Sequence, residues 1–132
     1  MSISDRDPMT SNYEIKSQLA KLLATEDLVV EHKRVETAQF NVQSRVLTLP
    51  VWENTTDDVI DMLVSHEVGH ALYTPDREWW KDYQMNPSIV NIVEDARIEK
   101  LMKRRYEGIA KTFYKGYTAV SYTHLRAHET IA

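Results

Sequence analysis

Two histidines four residues apart, His66 and His70, with Glu67 directly after the first, spell the pattern H-E-x-x-H. On a helix, positions i and i+4 share one face, about one turn apart. Two imidazoles so placed can reach a single metal ion at about 2.0–2.1 Å. Glu67 then has its carboxylate beside the ion without being a ligand, where it can take a proton from water and later pass it to a leaving amine. The metal itself would polarise a carbonyl and lower the pKa of water. The competing reading is a surface helix with two solvated histidines. Val59, Ile60, Leu63 and Val64 before the motif place it inside an amphipathic helix and favour the metal. Gly69 is small enough to let a neighbouring segment approach that helix closely.

A catalytic zinc keeps three protein ligands and one open position. The chain has no cysteine, so the third ligand must be His, Asp or Glu. His32 lies upstream, on or after a short strand. An acidic residue on the following helix fits better. Glu94 comes 24 positions after His70, about right for a helix that turns back onto the first. It lies in an otherwise apolar stretch, where an unpaired charge is costly to bury and a metal would partner it. Glu94 is the preferred third ligand, with Asp95 the main competitor and Glu99 third. Asp95 could instead hydrogen-bond a ligand histidine and fix its tautomer. Alternatively, Glu94 and Asp95 edge a solvated face and pair with Arg97 or nearby lysines.

These residues need a scaffold, and 132 residues suffice for one domain with a modest core. The net charge of −4, with Lys and Arg scattered, argues against a nucleic-acid partner. The one basic cluster, Lys100, Lys103, Arg104 and Arg105, suits the C-terminal turn of a helix. No apolar run approaches a membrane span, and the polar start lacks the core of a signal peptide. With no cysteine, these features point to a soluble, cytoplasmic protein without a membrane partner.

The elements read as follows. Residues 1–10 form a disordered lead. A helix capped by Ser11 or Asn12 runs to about Ala24, with Ile15, Leu19, Leu22 and Leu23 as its apolar stripe. Leu28 to Val30 is a short strand, and 38–42 and 45–49 form a hairpin turning at Gln43 and Ser44, closed by Pro50. Thr55 or Thr56, followed by Asp57 and Asp58, starts the helix that carries the motif to about Tyr73. Trp79 and Trp80 fall in an irregular stretch as core or rim. The last helix starts near Pro87 and Ser88, buries Ile89, Ile92, Val93, Ala96 and Leu101, and stops at Gly108. The fold class expected is α+β with a small antiparallel sheet.

The end of the chain differs in kind. VSYTHLRAHET, residues 120–130, resembles one reading frame of a transposase adapter used in DNA library preparation. Residues 120–132 are thus expected to be a non-native tail, and the domain spanning 11–119 to be truncated, with uncertain activity as it stands. The pair His124 and His128 has metal-ligand spacing but is set aside on this ground.

H-E-x-x-H followed by a glutamate on a second helix resembles the gluzincin group of zincin metallopeptidases. HEVGHALYTP at 66–75 with NIVEDARIEKLMKRRY at 91–106 is more closely similar to peptidase-like proteins of tailed bacteriophages. There, such a segment precedes a von Willebrand A-like region related to a cobalt-chelatase subunit. The resemblance covers most of residues 12–119. It implies a zincin-like fold and a zinc-dependent endopeptidase acting on peptide or protein substrates, in the host cytoplasm if phage-encoded. It further implies His66, His70 and Glu94 as zinc ligands, Glu67 as general base, and the strand at 45–49 as the edge that binds extended substrate. Thermolysin-like members carry an aspartate four residues after the ligand glutamate, where this chain has Ile98. The later His or Tyr that stabilises the oxyanion is not assignable among Tyr73, Tyr83 and Tyr106. The alternative is a non-catalytic zincin-like module of a phage or chelatase-like assembly.

Overall fold

A computed structural model describes residues 8–51, 56–75 and 84–131, with side chains over 13–51, 56–75 and 84–121. Trp79, Trp80 and Tyr83, and the side chains of His124 and His128, lie outside the described residues. Seven elements follow in order: α1 (Pro8–Ala24), β1 (Val29–Lys33), β2 (Gln39–Asn41), β3 (Val46–Pro50), α2 (Asp57–Tyr73), α3 (Pro87–Arg105) and α4 (Ile109–Ile131). The class is α+β, as expected. No helix among the described residues is long and apolar enough to cross a membrane.

The sheet is mixed, ordered β1-β3-β2, rather than antiparallel throughout. β2 and β3 form the expected hairpin, pairing Phe40 with Leu47. Asn41 Oδ1 accepts from the backbone N–H groups of Gln43 and Ser44 at 3.0 and 2.9 Å and shapes the turn. β1, however, runs parallel to β3, because β2 lies opposite in direction to both and the hairpin brings β3 back between β1 and β2. β3 is therefore the central strand, with both edges paired, and it cannot offer the free edge expected at 45–49. That corrects the expectation, since the available edges belong to β1 and β2. Leu47 and Leu49 of β3 are fully buried, consistent with its central place.

α2 is the hub. Thr56 caps it by accepting from Val59 N–H, and Asp57 and Asp58 sit at its positive end. Ile60, Val64 and Val68 face the core with no exposed surface. At its C-terminal end the Arg45 guanidinium donates to Ala71 O at 2.7 Å while pairing with both oxygens of Glu26, so the hairpin turn and α1's exit anchor the motif helix. Lys16 of α1 pairs with Asp61 of α2 at 2.5 Å.

Two apolar stripes differ from expectation. In α1, Leu19 and Leu23 pack against the core as expected, but Ile15 and Leu22 are exposed and the buried positions are Ala20 and Ala24. In α3, Ile89, Ile92 and Val93 are exposed, as is Ala96, while the buried positions are Val90, Glu94, Ile98 and Met102. The cause lies in α2. A Cβ on Gly69 would meet Ile98 Cδ1 at 2.6 Å and Met102 Cγ at 3.2 Å, so these two side chains fill the space over the glycine. That seat fixes the rotation of α3 against the pull of its larger apolar residues.

α3 begins at Asn86, whose side chain accepts from Ser88 N–H, with Pro87 in the first turn. Gly108, at φ 87°, takes the left-handed turn into α4. α4 was not anticipated, although Ile109, Phe113 and Gly116 at four- and three-residue spacing are its buried face. A Cβ on Gly116 would lie 2.1 Å from Met62 Cβ and 2.9 Å from Asp58 O, so α4 crosses α2 in near-backbone contact. Gly116→Ala should destabilise the protein by up to about 2 kcal/mol net, because the close approach to Met62 and to backbone puts overpacking toward the upper end of about 1–3 kcal/mol, against a gain of about 1 kcal/mol in helix propensity. The urea midpoint measures it, and a stabilised variant would contradict this docking of α4.

Candidate metal centre

His66, His70 and Asp95 come together across the α2–α3 interface. One ligand atom from each lies within 4.8 Å of the others. Helical spacing brings the two rings onto one face, with centroids 5.0 Å apart and planes near perpendicular. Both Nε2 atoms converge on the same carboxylate oxygen. Asp95 Oδ1 is 3.2 Å from His66 Nε2 and 3.0 Å from His70 Nε2. All three residues are partly buried.

Glu94, the preferred ligand on sequence grounds, is not in this cluster. Val90, Glu94, Ile98 and Met102 share one stripe of α3, and Asp95 lies about 100° further round the axis. With Ile98 seated on Gly69, Asp95 meets the imidazoles and Glu94 meets Thr74 and Arg97. Thr74 Oγ1 donates to Glu94 Oε1 at 3.0 Å, and Arg97 donates to both carboxylate oxygens at 2.5 and 3.1 Å. Burial pushes the Glu94 carboxyl up, but the bonds from Arg97 and Thr74 outweigh it and hold the pKa below the usual range. The charge that sequence reasoning assigned to a metal is thus matched by a guanidinium. Glu99, the third candidate, has Oε2 3.9 Å from His66 Nδ1, and its Oε1 accepts from Tyr117 Oη at 2.7 Å. His32 lies beside Tyr13, with ring centroids 4.6 Å apart, and is not part of the cluster.

The electrostatics are uneven. Burial pushes the Glu67 carboxyl up to about 7, with Asp95 adding to the rise and His66 opposing it. Burial lowers His66, yet the carboxylates of Glu99, Glu67 and Asp95 together raise it. His70 goes down, first through burial and then through the nearby His66 charge, against the pull of Asp95. Neighbouring imidazoles thus move in opposite directions, and the Glu67 carboxyl lining the same cleft is poised to exchange a proton near neutrality.

The residues suit a divalent metal. Two imidazole nitrogens and one carboxylate oxygen form a donor set that zinc accepts. His66 Nδ1, on the far side of the ring from Asp95, is buried without a hydrogen bond, and Glu99 Oε2 stands 3.9 Å from it. The cluster opens into a cleft of about 580 Å³ lined by Gln39 and Phe40 of β2, Met62 and Leu63 of α2, Asn91 of α3 and Tyr117 of α4.

Sequence reasoning missed Thr74 and Tyr117 as parts of the site's surroundings, and offered the pairing of Glu94 with Arg97, which the structure shows, only as the alternative to a metal. Thr74 is four residues after His70 and Arg97 three after Glu94, spacings that share a helix face and were readable. Tyr117 belongs to the unanticipated α4. No family model, curated protein or solved structure matches the chain.

Proposed function

We propose that the chain carries the zinc site of a zincin-like metallopeptidase, with His66, His70 and Asp95 as ligands and Glu67 as general base. The convergence of both Nε2 atoms on one Asp95 oxygen, beside a buried glutamate, carries this reading. Zinc held there would act as a Lewis acid and lower the pKa of water. Glu67 is ionisable near neutrality, so its carboxylate can accept a proton from water and return it to a leaving amine. The cleft beside it is open, and β2 is the edge strand along its wall. An extended peptide laid along β2 would pass over His66 and Glu67.

Asp95 also bears on the resemblance to gluzincins. Counting four residues from Asp95 rather than Glu94 reaches Glu99, which faces His66, instead of the buried Ile98. The departure noted at Ile98 then becomes a one-residue shift along α3, with aspartate in the glutamate's place. Hydrolysis of a mixed peptide library by the purified chain tests the function. Cleavage should vanish with a chelator and return with zinc, whereas cleavage indifferent to chelation would contradict it.

A further inference from the structure

We propose that Thr74, Glu94 and Arg97 form a relay that fixes the ring tautomer of His70 and holds its Nε2 ready for a cation. This positioning role rests on the metal-centre reading above, and the argument is one of counting protons. Arg97 binds both oxygens of Glu94 and also donates to Tyr73 O at 2.5 Å, which ties it to the end of α2. The guanidinium keeps Glu94 an anion, able only to accept. Thr74 has one hydroxyl proton, and it goes to Glu94 Oε1 at 3.0 Å. The same hydroxyl lies 2.8 Å from His70 Nδ1 and has only its oxygen left to offer. His70 must then donate from Nδ1, so the neutral ring carries its lone pair on Nε2.

That lone pair faces Asp95 Oδ1 at 3.0 Å. Two acceptors at this separation repel unless a cation, metal or proton, joins them. The relay thus fixes the proton on the far side of the ring and leaves the near side to the ion. It also accounts for a glutamate at a core position of α3, since the Arg97 charge and the Thr74 hydroxyl satisfy it there.

Nitrogen-15 NMR of the histidine rings in the full chain tests the relay directly. Spectra are taken in chelator at about pH 8, above the ordinary histidine range, and zinc is then titrated into the same samples. Wild type should show His70 protonated on Nδ1 before any zinc is added. Thr74→Val, nearly isosteric but without the hydroxyl, should shift the proton toward Nε2 and weaken zinc binding about 10- to 100-fold. Thr74→Ser should restore both tautomer and affinity. An Nε2-protonated His70 in the wild type would overturn the relay, as would a Thr74→Val variant matching wild type in both readouts. A wild type with the expected tautomer but no zinc affinity would support the relay while removing the metal-centre reading.

Discussion

Glu67→Gln should lower peptide hydrolysis about 100- to 10,000-fold while leaving zinc affinity close to wild type, because glutamine cannot hold the transferred proton and Glu67 is outside the ligand set. The same substitution should act oppositely on stability. In the metal-free protein the Glu67 carboxyl sits near pKa 7 against an ordinary 4.5, mainly because burial disfavours its charge. The folded state therefore binds more protons than the unfolded state between those values. Stability falls as pH rises from about 4.5 through about 7, by up to about 3 kcal/mol from this group. Glutamine removes the titration. In chelator, Glu67→Gln should gain stability over wild type at pH 8 and lose that gain near pH 4. Denaturant melts at the two pH values measure it. A variant destabilised equally at both would contradict the burial cost assigned to Glu67.

Asp95→Ala should weaken zinc binding by more than about 100-fold, beyond what an outer hydrogen-bond partner contributes. Glu94→Gln should cost no more than about 10- to 100-fold, because Glu94 reaches His70 Nδ1 through the Thr74 hydroxyl and otherwise acts on the ring by its charge alone. The contrast is informative because the two residues are adjacent on α3 and both acidic. If Glu94→Gln abolished binding and Asp95→Ala spared it, the rotation of α3 deduced from the Gly69 seat would be wrong, and the ligand preferred from sequence would be right. Competition titration against a zinc-binding dye separates the outcomes.

The elements that local chemistry dictates were readable. Thr55 or Thr56 with Asp57 and Asp58 marked the start of α2, Thr74 and Pro75 its end, and Pro87 with Ser88 the start of α3. His66, Glu67 and His70 are legible for the same reason, since their relation depends on one helix alone. Whatever depends on packing between elements was not readable. The phase of α3 is set by Ile98 and Met102 over Gly69, which overrides the larger apolar residues Ile89, Ile92 and Val93 and puts Asp95 at the imidazoles. The parallel pairing of β1 with β3 likewise depends on how the hairpin folds back, which no period in the strands reveals. Glu94 misled because a charge in an apolar stretch has two remedies, a metal or a salt bridge, and its partner Arg97 was only three residues away.

Native mass spectrometry of the purified chain after zinc loading and desalting tests the central claim most directly. One zinc ion per chain is expected for the wild type, and none for a variant with both His66 and His70 changed to alanine. A wild type that retains no more zinc than that double variant would contradict the metal centre and every role derived from it.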